Sequence, residues 1–228
     1  MMSTIAIMQP YFFPYLGYFC LVASADIFVH FDCVQFPRRG YVHRNQMPKY
    51  PPARTEQQKY WLTLPLVGQA RDVRIADLAF ASDAASQWQK RLASFPWVSK
   101  AEAFDQVELL QRVRSVKDNA SVSDYLIDTL EFGARRLGLN PRMIRSSSLG
   151  IPDEFQGQDR ILEIVRMLGG KRYINAPGGR ALYDVAEFER NGIELSFLPP
   201  FAGRTNSMLY EFCFYPIASL RAELPVVV

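Results

Sequence analysis

A short, mostly apolar run, Thr4–Met8 (T-I-A-I-M), is stopped by Gln9-Pro10, and a second, residues 27–31 (I-F-V-H-F), opens after Asp26. Residues 15–24 between them carry apolar side chains on several helical faces, with no breaker after Gly17. Strand, helix and strand within about thirty residues make a βαβ unit, whose strands run parallel with a right-handed crossover. This opening commits the chain to an α/β sheet.

The remainder extends the same alternation. Strands are predicted at 60–64 (Y-W-L-T-L), 73–80, 143–146, 172–175 and 193–198. Helices are predicted at 83–94, with Asp83 or Ser82 as cap, at 100–116 after Pro96-Trp97, and at 121–137, capped by Ser123 and stopped by Gly138. Two more follow at 158–168 and 182–190. The expected fold is a three-layer, mostly parallel α/β sheet, Rossmann-like and nucleotidylyl-transferase-like, forming one domain over 1–228 with a helical insertion at 82–137. Residues 35–59 hold four prolines and six basic side chains against one acid, Glu56, and read as a long basic functional loop.

Composition excludes several functions. Lys+Arg total 26 against 23 Asp+Glu, a formal net charge of +3, too weak for a duplex nucleic-acid binder. No apolar run reaches the length of a membrane span, and no basic segment precedes an apolar stretch in the manner of a secretory signal. Three cysteines, Cys20, Cys33 and Cys213, form no paired pattern and read as reduced, mostly buried thiols of a cytoplasmic protein. No His, Cys or Asp cluster has metal-ligand spacing.

In an open parallel sheet, ligands bind beyond the carboxyl ends of the strands. Four segments follow strands here. The first, Q-P-Y-F-F-P-Y-L-G-Y, supplies Gln9, Tyr11, Tyr15, Gly17 and Tyr18. Its aromatics either stack on a base or sugar face or plug the end of the core. Nucleotidylyl transferases carry H-x-G-H at the equivalent junction, but Tyr15-Leu16-Gly17-Tyr18 has lost both imidazoles. The second, D-C-V-Q-F-P-R-R-G-Y-V-H-R-N-Q, offers Asp32 as a general base, His43 as an acid or base, and Gln35, Arg44 and Asn45 as ligand contacts. Arg44 is the favoured diphosphate clamp among Arg38, Arg39, Arg44 and Lys49. His30 reads as a core histidine. The third, S-S-S-L-G, offers Ser147 to a phosphate or to a helix cap, and the fourth, N-A-P-G-G-R, offers Asn175, Gly178, Gly179 and Arg180. Gln9, Tyr11, Asp32, Arg44, Asn45 and Asn175 are expected to converge on one cleft.

Read together, Q-P-Y-F-F-P-Y-L-G-Y-F, A-D-I-F-V-H-F-D-C-V-Q-F, R-N-Q, W-L-T-L-P, S-S-S-L-G and Y-I-N-A-P-G-G-R-A-L-Y-D resemble the WbqC-like family over residues 5 to 198. Gln9, Pro10, Pro14, Gly17, Tyr18, Asp32, Gln35, Arg44, Asn45, Gly178 and Gly179 lie on the family's pattern. His43 stands where members differ, and the tail after Pro200 departs from the usual ending. The resemblance implies cytoplasmic modification of a nucleotide-activated amino sugar for bacterial O-antigen, lipopolysaccharide or other surface polysaccharide, by transfer of an amino acid or acyl unit. The implied partner is a nucleotide-sugar small molecule. It names no cofactor and no oligomeric state. A nucleotide-activating enzyme with an altered H-x-G-H site and a non-catalytic ligand-binding or scaffold protein are the competing readings.

Overall fold

Strand β1 (Thr4–Met8) owes its central position to side chains that are apolar on both faces. Ile5 and Ile7, with Ile27 and Val29 of β2 (Ile27–His30), point to one side and meet Ile161, Leu162, Ile164 and Val165. Those four belong to α6 (Gly157–Met167), beside Phe188 of α7 (Val185–Arg190). Ala6 and Phe28 point the other way, into a larger cluster with Leu16 and Phe19 of α1 (Leu16–Ala23) and Leu126 and Leu130 of α5 (Val122–Arg136). Period-two alternation with both faces covered makes the three layers. The computed structural model describes residues 3–50, 58–68, 71–100 and 106–225, without the side chains of 99 and 100.

The five-stranded sheet runs in the order β5-β2-β1-β6-β7, with β5 Arg142–Arg145, β6 Arg172–Asn175 and β7 Glu194–Phe197. Every pair in it is parallel. The chain leaves β1 toward β2 and β5, then crosses back to β6 and β7. The direction of winding therefore reverses between β1 and β6, the position at which doubly wound sheets open a crevice.

Four expectations need correction. The basic stretch 35–59 is no plain loop: β3 (Arg44–Pro48) pairs antiparallel with β4 (Lys59–Thr63) in a separate two-stranded sheet. Residues 51–57 lie outside the described residues. Its polar letters disguised the strand, because its buried positions are Asn45, Met47 and Pro48. Residues 73–80 form a 3-10 turn, Ile75–Asp77, since their backbone is shared among isolated bridges to three different segments. The helix expected at 100–116 is replaced by α3 (Pro96–Lys100) and α4 (Val107–Arg114), with 101–105 outside the described residues. Pro96 opens α3, where a missing N–H costs nothing. Finally, Ser121 caps α5 by accepting from Asp124 N, while Ser123 is buried.

Helix α2 (Ala84–Ala93) joins the larger core through Trp88 and Leu92. So does the tail. Met208, Leu209, Tyr210, Phe212 and Cys213 of α8 (Met208–Phe214) and Leu220 of α9 (Ile217–Arg221) are all buried there. Among the described residues, no helix is long and apolar enough to cross a membrane. Phe212 is 1% exposed. Phe212→Ala should therefore cost roughly 3–5 kcal/mol, read by urea unfolding followed by circular dichroism, with one transition retained. A second transition would show the tail unfolding on its own.

Candidate functional site

The turn after β1 is where the switch point acquires its shape. Phe12 is buried against Phe13, Trp88 and Tyr125, at ring-centroid distances of 5.2, 5.8 and 6.4 Å. Phe13 is buried too, and adopts φ +41°, a left-handed conformation uncommon for a bulky residue. Its carbonyl accepts from Asn45 Nδ2 at 2.7 Å and from Ser207 Oγ at 2.7 Å. Asn45 Nδ2 also donates to the Phe12 carbonyl at 3.1 Å, Phe12 N to the Tyr41 carbonyl at 2.9 Å, and Met208 N to the Pro14 carbonyl at 2.9 Å. This density of bonds is what holds a strained residue in place. Of the four aromatics in the loop, Phe12 and Phe13 thus plug the core, and Tyr11 and Tyr15 remain for a ligand.

Tyr15 is 40% exposed and leans on Phe201, centroids 5.8 Å apart. The two rings divide the crevice in two. One cavity, about 400 Å³, is lined by Tyr11, Tyr15, Tyr41, Asn45, Gln46 and Lys59, with Phe201 and Thr205. The other, about 390 Å³, is apolar and bordered by Gly17, Ala176, Pro177, Leu198 and Leu224, with Glu223 at its edge. Gly17 is required because a Cβ there would overlap the Tyr15 ring and stand 2.9 Å from Phe201 Cγ.

The hairpin forms the outer wall of the first cavity. Its register pairs Gln46 with Trp61 and Pro48 with Lys59, so Arg44, Gln46, Lys59 and Trp61 share one face, while Asn45, Met47 and Leu62 share the buried one. A run of rings leads outward from the turn: Tyr18 to Tyr11 at 5.7 Å, Tyr11 to Tyr41 at 6.1 Å, Tyr41 to Trp61 at 5.9 Å. Trp61 is 42% exposed, and the Arg44 guanidinium lies over it at 4.3 Å. Aromatic faces tilted to one another beside a lysine and an arginine suit a planar or sugar-like group that carries negative charge.

The residues read from the sequence do not meet in one cleft. Tyr11, Tyr15 and Asn45 line the aromatic cavity, but Gln9, Asp32, Arg44 and Asn175 stand outside its lining. Gln9 is half-buried, and its carbonyl accepts from the buried Tyr18 hydroxyl at 3.0 Å, which makes Tyr18 a brace. Arg44 spends part of its fork on its own hairpin, donating to the carbonyls of Arg39 at 3.1 Å and Gly40 at 3.5 Å. Gln35 is exposed and donates to the Arg71 carbonyl at 2.8 Å.

Asp32 is wholly buried between β2 and β5. One oxygen accepts from Ser146 Oγ and Ser147 N, the other from Ser147 Oγ at 2.8 Å and Ser123 Oγ at 3.5 Å. A carboxylate so saturated holds a turn and has no lone pair directed at a ligand. Asn175 is buried, donates to the Tyr183 hydroxyl at 3.2 Å and accepts from Ala176 N at 2.7 Å. Gly179 is required beneath it, since a Cβ there would lie 2.6 Å from Asn175 Nδ2. Gly178 is exposed, and exposed Arg180 lies over Phe197 at 5.0 Å.

His30 is buried, but neither ring nitrogen has a hydrogen-bond partner; Nε2 lies 3.8 Å from Glu131 Oε1. His43 packs edge-on against Phe36 at 5.0 Å, and burial, with Arg44 and Arg91 nearby, pushes its pKa down to about 4. The imidazole is therefore neutral at pH 7, and no imidazolium is present to act as an acid. Reading the sequence missed Tyr41, Gln46, Lys59, Phe201 and Thr205 as lining residues. The available signal was the alternation of 44, 46, 59 and 61 across a hairpin.

Two measurements check this arrangement. Asn45→Ala removes both donor bonds to the strained turn and should cost about 1–3 kcal/mol, seen as a lower urea midpoint at an unchanged slope. His43 is protonated first in the unfolded chain, because its folded pKa of about 4 lies below the ordinary 6.5. Stability should be full above about pH 6.5 and fall toward pH 4. His43→Gln should flatten that fall by on the order of 2 kcal/mol, after discounting for partial exposure. Parallel pH curves for the two proteins would contradict the assignment.

Residues 9–204 match the model of the WbqC-like protein family. The match begins at the turn after β1 and stops before α8 and α9. The Mycobacterium tuberculosis protein named "Uncharacterized protein Rv1507c" is similar at 22% identity over 199 residues, covering 86% of this chain and 82% of that protein. No solved structure matches the chain.

Proposed function

The chain belongs to the WbqC-like protein family, and on that premise we propose that it is a transferase acting on a nucleotide-activated amino sugar in the assembly of bacterial O-antigen or another surface polysaccharide. The observation that carries this reading is the aromatic cavity at the reversal point of the sheet, with Lys59 in its wall and, beyond its lining, Trp61 beside Tyr41 and beneath Arg44. Tyr11, Tyr41 and Trp61 receive the base and the sugar face. Lys59 neutralises the diphosphate, assisted by the part of the Arg44 fork not bonded to the hairpin. Gln46 and Thr205 supply directional hydrogen bonds to sugar hydroxyls. The transferred unit is an amino acid or an acyl group, and the work takes place in the cytoplasm.

Nucleotide activation of the H-x-G-H type has less support. Tyr15 and Tyr18 occupy the imidazole slots, and burial raises both phenols above their ordinary value. Neither supplies a cation to a phosphoryl transition state. A non-catalytic binding protein would use the same cavity and is separated from the transferase by turnover alone.

Calorimetric titration with uridine and thymidine diphosphate sugars tests the reading. One member of the panel should bind, with affinity falling as salt rises. Trp61→Ala should weaken it by about 1–3 kcal/mol, and Lys59→Ala should weaken it and reduce the salt dependence. Arg44→Lys keeps the charge but loses the stack and should cost about 1 kcal/mol. Absence of binding across the panel, or equal affinity for wild type and Trp61→Ala, would remove the nucleotide sugar from this cavity.

A further inference from the structure

The apolar cavity of about 390 Å³ shares Tyr15 and Phe201 with the aromatic one, so a single wall of two rings separates them. Their linings differ in kind. The aromatic cavity presents Asn45, Gln46, Lys59 and Thr205. The apolar one is edged by four prolines, Pro177, Pro199, Pro200 and Pro225, none of which has a backbone N–H to offer. Apart from Tyr15, its ionisable side chains are Cys20 and Glu223. Burial, with Glu223 nearby, pushes Cys20 up to about 11, so it is an uncharged thiol at pH 7. Glu223 accepts from Arg204 N at 3.1 Å through one oxygen and from Arg204 Nε through the other. Arg204 itself stands outside the lining, over the Tyr215 ring at 3.9 Å.

These walls select what can enter. The ammonium or carboxylate of an amino acid would lose its water here, where the one carboxylate at the edge is already bonded through both oxygens. A hydrocarbon needs no polar partner, and burying it against Leu198 and Leu224 is favourable in proportion to its length. An exposed apolar concavity of this size is the form that ligand sites take. The segment between β7 and α8 that carries Phe201 is fastened by Ser207 to the Phe13 carbonyl and by Arg204 to Glu223, so the cavity is preformed. Group transfer, moreover, requires two reactants in contact, and the two cavities meet at Tyr15 and Phe201.

We propose that this cavity binds the saturated hydrocarbon chain of an acyl group, with the carbonyl end held at the wall formed by Tyr15 and Phe201. The inference rests on the reading that the protein transfers a unit to an amino sugar, and it selects an acyl unit over an amino acid. The sugar then occupies one side of the aromatic wall and the hydrocarbon the other.

The test is calorimetric titration of the full chain at pH 7 with a neutral series, N-butanoyl-, N-hexanoyl- and N-octanoylethanolamine. Affinity should rise about fourfold for each added methylene. N-(6-aminohexanoyl)ethanolamine, whose chain ends in an ammonium, should bind at least about tenfold more weakly than the hexanoyl amide. Ala202 is exposed on the rim, so Ala202→Trp narrows the cavity without entering the core. That variant should lose the gain with length while its circular dichroism stays that of the wild type. Affinity independent of length, equal binding of the amino-terminated probe, or the same rise with length in Ala202→Trp would overturn the proposal. So would absence of binding by a protein that sediments as a dimer, which would give the apolar face to a second copy. The probes carry neither sugar nor nucleotide, so the two readings fail separately. A rise with length but no nucleotide-sugar binding removes the amino sugar and keeps the hydrocarbon site. Nucleotide-sugar binding without a rise removes the hydrocarbon site alone.

Discussion

One carbonyl oxygen, that of Phe13, accepts from Asn45 and from Ser207, and so ties together three parts of the chain that are remote in sequence. The left-handed backbone at Phe13 has no local compensation, and an aromatic residue does not take φ +41° unaided. The bonds that enforce it also place the hairpin and the tail against the switch point. Tyr11 and Tyr15 face the crevice because Phe12 and Phe13 are driven into the core, and Phe201 reaches Tyr15 because the segment ending in Ser207 is anchored beside it. The aromatic cavity follows from this junction, with its three walls supplied by the turn, the hairpin and the tail.

The parts of the fold that can be read from letters are those decided by short-range physics. Thr4–Met8 and Arg172–Asn175 occur as expected, since unbroken apolar runs between breakers leave few alternatives. The second strand of the hairpin, expected at 60–64, is β4, but the first was illegible because β3 reads R-N-Q-M-P, with an asparagine, a methionine and a proline as its buried positions. Asn45 is buried to serve the turn thirty-two residues earlier, a role with no local signature. Residues 73–80 alternate like a strand, but three unrelated segments claim their backbone.

The site was legible in kind and obscure in place. Residues beyond the strand ends do carry the polar and aromatic groups, as the geometry of parallel sheets requires. Which of them face solvent is decided by tertiary bonds. Asp32 stands at the end of β2, where an acid or base would be sought, yet two hydroxyls of the serine turn and the hydroxyl of Ser123 close around it. Tyr15 and Phe201 separate two differently equipped clefts, an aromatic one beside a lysine and an arginine and an apolar one edged with prolines.

The anchoring of the first turn by the last helices bears on how the chain is made. Synthesis proceeds from the amino terminus at roughly 5–20 residues per second, so β1 and its turn leave the ribosome many seconds before Ser207 and Met208. During that interval β1 can pair with β2, but its other edge waits for β6, and the turn lacks half of its restraint. The crevice between turn, hairpin and tail is therefore closed only after residue 208 has been made. A nascent chain carries β1 and β2 with the crevice still open, and its walls come together only when Ser207 and Met208 return to the turn after β1.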